Sequence, residues 1–333
     1  MIRILTISLL CSFSAIAQSG AGGVFTFLDR SIFAGSSALG NTSYIHPGPT
    51  GAYAVQNPLL LSDSSIHQLE ISIGSLGDGV QLLQGSYGFK IMGKPLIASV
   101  QSVQYGEFTA TDSWGTVLGE FTAGDLAINI GSQLGSFKNI SFAVSGKLIN
   151  GTYESYQSWA VASDWVAMYS VAAGPDVALI VKNVGMQLTT FGNQRESLPT
   201  NVLIAFGDKL EYAPFRWTFV IDQLSRWNLG YQDPNLVNVD PVTGEQTQET
   251  FSMLNLGLRH LSGSIEFLPT QRLHLMVGYN FRRQFEMSLP TRRTSGGFSL
   301  GAGLYFNSFQ LHYANELRSL AGRMNTLSLS FNI

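Results

Sequence analysis

A side-chain period of two recurs along this chain from about residue 67 to its end, and it constrains the fold more than any other feature. Leu69, Ile71 and Ile73 alternate with Gln68, Glu70 and Ser72. Leu126, Ile128 and Ile130 alternate with Asp125, Ala127 and Asn129. Phe215, Trp217, Phe219 and Ile221 do the same, as do Leu273 to Phe281 and Leu327 to Ile333. Successive side chains of a strand point to opposite faces, so each segment reads as a strand with one apolar and one polar face. The whole chain yields about fourteen such strands of roughly ten residues, the length a tilted membrane strand needs. The expected strands are 67–76, 80–90, 95–105, 125–134, 140–149, 158–170, 176–183, 201–209, 215–223, 252–267, 272–282, 297–306, 309–315 and 325–333.

The connections sort by length. Those at 91–94, 135–139, 171–175, 210–214, 268–271 and 307–308 are short. Those at 106–124, 150–157, 184–200, 224–251, 283–296 and 316–324 are mostly long, and Gly77–Gly79 is the exception. Short turns on one side and long loops on the other, with an even strand count, is the asymmetry of a bacterial outer-membrane barrel. It sets both termini on the periplasmic side.

Composition agrees. Only 12% of the 333 residues are charged, although 45% are apolar. Soluble domains carry about 25% charge. No apolar run is long enough for a membrane helix, and closed barrels are the other structure that satisfies every backbone group in lipid. A formal charge of −3 argues against a nucleic-acid partner. The single cysteine, Cys11, excludes a disulfide scaffold and a cysteine zinc site.

The first 17 residues read as an export signal. Arg3 supplies positive charge, Ile4 to Phe13 an apolar stretch, and Ala15-Ile16-Ala17 a cleavage site. The mature chain is expected to begin at Gln18, without a thiol. Residues 18–66 alternate weakly and read as a plug in the lumen, and 67–333 as the barrel. In that frame Lys147, Asp164, Arg216, Glu266 and Arg282 fall on lumen registers. Trp159, Trp165, Tyr169, Trp217, Tyr279 and Phe281 are candidates for aromatic girdles.

No cofactor, metal or catalytic constellation emerges. The five histidines, His46, His67, His260, His274 and His312, have no metal-site spacing. Gly297-Phe298-Ser299-Leu300-Gly301 matches the G-x-S-x-G nucleophile pattern literally, but it lies in a strand with no helix after it, so we read it as chance. Arg283, Arg292 and Arg293 cluster about one long loop. Contact with lipopolysaccharide phosphates is one reading; interfacial charge and lumen pairing is the other. Phe108, Trp114, Phe121 and Trp227 lie in or beside long loops, where aromatics either anchor a protein partner or pack the loops into a cap.

An ordered set of short motifs resembles a known family. It includes Val24-Phe25-Thr26-Phe27-Leu28, Ser37-Ala38-Leu39-Gly40, Asn57-Pro58-Leu59-Leu60-Leu61 and Tyr105-Gly106-Glu107-Phe108. Lys182-Asn183-Val184-Gly185, Ala213-Pro214-Phe215-Arg216, Arg259-His260 and Gly278-Tyr279-Asn280 continue it. Together they resemble the PorQ family, outer-membrane components of the type IX secretion system. Two departures stand out: Ala34-Gly35-Ser36-Ser37 replaces a segment that usually carries an arginine, and the chain ends on Ile333 rather than an aromatic.

The resemblance implies an all-β, FadL-like transmembrane antiparallel barrel of fourteen strands with an N-terminal lumen plug, in which Asn57, Pro58, Leu59 and Leu60 form the plug motif. It implies a non-enzymatic member of the surface attachment complex with PorU, PorV and PorZ. That complex processes secreted cargo and joins it to lipopolysaccharide, and this chain would hold a PorZ-like partner at the surface. A FadL-type channel for hydrophobic small molecules is the alternative.

Overall fold

The computed structural model describes residues 23–45, 48–77, 79–171, 174–230, 237–239, 246–248, 251–287, 295–318 and 322–333. Fourteen strands close into one antiparallel barrel. They are β1 (Gln68–Gly77), β2 (Val80–Ile91), β3 (Lys94–Thr111), β4 (Val117–Phe137), β5 (Ile140–Tyr153), β6 (Tyr156–Tyr169) and β7 (Asp176–Gln187). Then come β8 (Asn201–Lys209), β9 (Phe215–Ile221), β10 (Leu261–Phe267), β11 (Leu273–Asn280), β12 (Phe298–Tyr305), β13 (Phe309–Leu317) and β14 (Arg323–Asn332). Each strand pairs with its sequence neighbours, and β1 closes the wall on β14 from Gln68 opposite Asn332 to Ser75 opposite Asn325. A separate two-stranded ribbon joins 237–239 to 246–248.

The wall is inverted relative to a soluble protein. On β1, Glu70 and Ser72 are 1% and 0% exposed, whereas Ile71 and Ile73 are 48% and 55% exposed. The same inversion runs along β4, where Leu126, Ile128 and Ile130 face out, and along β14, where Ser328 and Ser330 are buried and Leu327 faces out. An apolar outer register is stable against lipid and would be costly in water. The sequence periodicity therefore reports the membrane, as expected. Among the described residues no helix is long and apolar enough to cross a membrane.

Four expectations need correction. The segment 106–124 is not a loop: β3 and β4 run on through most of it. The 150–157 connection is a tight turn, because β5 reaches Tyr153 and β6 starts at Tyr156. The expected strand at 252–267 starts only at Leu261, and Met253–Arg259 is a helix, α2. Ser252 caps it by accepting from the Asn255 N–H at 3.2 Å. Phe281–Glu286 is likewise a helix, α3, rather than the end of β11. Asn280 caps it through a bond from the Arg283 N–H at 2.8 Å.

Residues 24–45 and 48–66 enter the lumen with short helical turns, including α1 (Ala34–Ala38). They are largely buried and form the centre of the molecule: Ile32, Phe33, Tyr44, Ile45 and Tyr53 are among its most enclosed side chains. Residues 1–22, with the expected signal peptide and Cys11, lie outside the described residues, as does His46.

Candidate functional site

Two regions carry the chemistry expected of such a barrel: the plugged lumen and the outer rim. Residues Asn57 to Leu60, the expected plug motif, form a turn packed inside the barrel. Asn57 is fully buried; its Oδ1 accepts from the Leu59 N–H at 3.0 Å and its Nδ2 donates to the Tyr44 carbonyl at 2.8 Å. Pro58 follows at the first position of a 3-10 turn, where its missing N–H costs nothing. The turn is fixed to β4 by Gln133, whose Nε2 donates to the carbonyls of Pro58 and Leu61 at 3.1 and 3.0 Å. Leu59 and Leu60 pack against two different buried apolar clusters.

Glycine lets the plug and the wall approach each other. A Cβ on Gly278 of β11 would lie 2.4 Å from the Gly40 nitrogen, and one on Gly301 of β12 would lie 2.4 Å from the Ala38 methyl. Polar ties complete the seal: Ala34 N–H donates to Ser328 Oγ at 2.8 Å, Thr42 Oγ1 to Ser264 Oγ at 2.7 Å, and Gly51 N–H to Gln68 Oε1 at 2.6 Å.

Around the plug, the polar register forms ion pairs. Lys147 Nζ meets Asp164 Oδ2 at 2.7 Å. Glu266 pairs with Arg216 and, at 2.8 Å, with His274. Glu316 takes Arg283 at 2.6 Å and Arg318 at 3.3 Å. Asp222 lies 3.6 Å from Arg282. The open space within this arrangement is a cavity of about 250 Å³ near the outer ends of β8 to β11. Asp29, Arg30, Asp222, Arg282 and Glu286 contribute to its lining. Sites for apolar small molecules are lined predominantly by hydrophobic side chains, and this cavity is not.

His260, His312 and the serine motif take structural contacts. His312 is buried, with Nε2 2.9 Å from the Tyr305 hydroxyl. His260 contacts the Asp222 and Trp227 carbonyls at 2.7 and 3.1 Å. Ser299 accepts from Arg283 at 2.7 Å on a continuous strand. Among the described residues no group of histidine, cysteine and carboxylate side chains could hold a metal ion.

Arg283, of the expected basic cluster, is not on the surface. Arg283 is buried and donates to Glu316, Ser299 and the carbonyls of Gly296 and Gly297, so its side chain is held inside the barrel and not offered to lipopolysaccharide. Arg292 and Arg293 lie outside the described residues.

On the rim, Phe108 and Phe121 stack across the β3–β4 hairpin with centroids 5.4 Å apart. Trp114 at its tip is 90% exposed. Trp227 stacks on His260 at 5.0 Å and remains partly exposed. The hairpin tip is held by Asp112, whose Oδ1 accepts from the N–H groups of Trp114 and Thr116 at 2.9 and 2.8 Å. These backbone bonds, that from Thr116 first, hold the Asp112 carboxyl below its ordinary range.

No family model and no curated protein matches the chain. Solved structures do. The Pseudomonas putida toluene transporter TodX superposes with a TM-score of 0.55 at 12% identity, over 90% of this chain and 98% of that one. The CymD monoaromatic hydrocarbon channel gives 0.54 at 9% identity, over 90% and 97%. A Pseudomonas aeruginosa FadL homologue gives 0.52 at 8% identity, over 90% and 98%. The chain has the FadL-like barrel fold of outer-membrane proteins. At these identities the likeness concerns fold alone. TodX is named as a transporter and CymD as a channel.

Proposed function

We propose that this chain is a non-enzymatic outer-membrane component of a type IX secretion attachment complex. It holds a PorZ-like surface protein on its outer rim, beside PorU and PorV, while cargo is processed and joined to lipopolysaccharide. The observation that carries this reading is the state of the lumen. Residues 23–45 and 48–66 pack into it, ion pairs ring it, and a cavity of about 250 Å³ within it has a polar lining that includes Asp29, Arg30, Asp222 and Arg282. A barrel so filled has its accessible chemistry on the rim, where β3 and β4 extend and Trp114 is exposed. The ordered motifs shared with the PorQ family support the same reading. Detergent extraction followed by co-purification tests it. A surface protein of the attachment complex is expected to travel with the barrel; recovery of the barrel alone under mild detergent contradicts the reading.

A FadL-type channel for hydrophobic small molecules is the second reading. The named structural neighbours favour it, and as far as they reach they support it better than the tether. The chemistry of the lumen favours the tether. Uptake of radiolabelled toluene into liposomes carrying the purified barrel, above that into empty liposomes, would support the channel.

A further inference from the structure

The β3–β4 hairpin is longer than a membrane crossing requires. β3 has 18 residues and β4 has 21, against the roughly ten of a tilted spanning strand. Pairing with β2 stops at Gln81 opposite Gln104, and pairing with β5 stops at Ala123 opposite Tyr153. Between these limits the hairpin continues alone from Glu107 opposite Thr122 to Thr111 opposite Val117. A bulge between Gln104 and Glu107, with Gly106 at φ 94°, marks where it leaves the wall.

Among the described residues, no strand pairs with either side of this ribbon. The Thr122 carbonyl still accepts from the Glu154 N–H at 3.2 Å, so it points toward the β5 side. Main-chain groups alternate sides along an antiparallel strand, so two residues further on Glu120 directs its N–H and C=O to the same side. No strand lies there among the described residues. Its cross-strand partner Thr109 faces the opposite edge, which is equally unpaired. Proteins commonly blunt such edges with lysine or proline. From Tyr105 to Gly124 there is neither, and no arginine; the ribbon carries Glu107, Asp112 and Glu120. Beside the outer edge of β4, Glu107, Glu120, Phe121, Thr122, Glu154 and Ser155 border a surface cleft of about 560 Å³.

We propose that the outer edge of β4 accepts an extended, lysine- or arginine-bearing segment of the surface partner as an added strand. Its main chain would pair with Glu120, its alternate cationic side chains would meet Glu107, Glu120 and Glu154, and an apolar residue would contact Phe121. This is strand addition, in which the backbone provides affinity and side chains provide selection. The inference rests on the rim-tether reading and names the chemistry of its partner.

Two labelled ten-residue peptides, one alternating lysine with valine and one alternating glutamate with valine, serve as probes against the purified barrel in nanodiscs. Fluorescence anisotropy is expected to show the basic peptide binding at least about tenfold tighter. Glu120→Gln with Glu107→Gln and Glu154→Gln should remove that preference. Glu120→Pro should abolish binding by removing an edge donor while leaving the ribbon's own ladder intact. Equal affinity for both peptides overturns the proposal, and so does undiminished binding to Glu120→Pro, which means the peptide coats an acidic surface without adding a strand. If the peptides fail while trimming the hairpin still releases the surface protein, the strand-addition inference falls and the tether stands. If trimming releases nothing, the tether itself falls.

Discussion

Arg283 and Glu316 meet 2.6 Å apart inside the barrel and tie helix α3 to strand β13. Arg318 reaches the same carboxylate from 3.3 Å. Removing one member of a buried pair leaves an uncompensated charge, at about 3–5 kcal/mol. Glu316→Leu strands two cations and should lie in that range; Arg283→Met leaves Glu316 with Arg318 and should cost less. Heat-induced loss of the compact gel-mobility form in detergent measures both. Equal melting of the two variants contradicts the shared-acid geometry.

Asn57 holds the plug turn with two buried hydrogen bonds. Asn57→Ala removes both, and each unsatisfied partner costs about 1–3 kcal/mol. The wall does not depend on these bonds, so the barrel should still assemble and the plug should loosen. Planar-bilayer recording should show current bursts in the variant and a quiet wild type. A quiet variant would mean that other ties are sufficient.

Gly278 faces the Leu39–Gly40 backbone with no space for a methyl group. Gly278→Val should push the plug from β11 at about 1–3 kcal/mol, the usual cost of overpacking. Limited proteolysis within residues 23–45 reads the displacement. Protection equal to that of wild type contradicts the close approach.

The hairpin tip should respond to pH through Asp112. Its folded-state value lies below the ordinary value of 3.8, so the stabilisation is present above that value and is lost as pH falls through the lower one. Trp114 emission should therefore be constant at neutral pH and shift only in strong acid. Asp112→Ala should show the acid-form spectrum throughout. A Trp114 transition near neutral pH contradicts this cap.

The wall was legible because lipid imposes one sign on one face. Ile71 and Leu327 could not be exchanged in register with Ser72 and Ser328 without placing hydroxyls against lipid. Beyond the membrane that pressure ends. Glu107, Phe108 and Thr109 are all exposed, no apolar register is imposed on them, and the alternation that marks a strand lapses there although β3 continues. The opposite case occurs at Leu254, Leu256 and Leu258, which alternate like a strand but form helix α2 behind the Ser252 cap. The place of Arg283 was not legible, because its partner Glu316 lies 33 residues away and only the closed fold brings them together.

The central claim is that the barrel acts through its outer rim. The direct test replaces 107–121 with a two-residue turn, so that β3 and β4 rejoin near Gln104 and Gly124, and measures how much surface protein co-purifies with the barrel. The expected result is a correctly assembled barrel, melting like wild type, that has lost its surface protein. A trimmed barrel that retains its partner in full would contradict the claim.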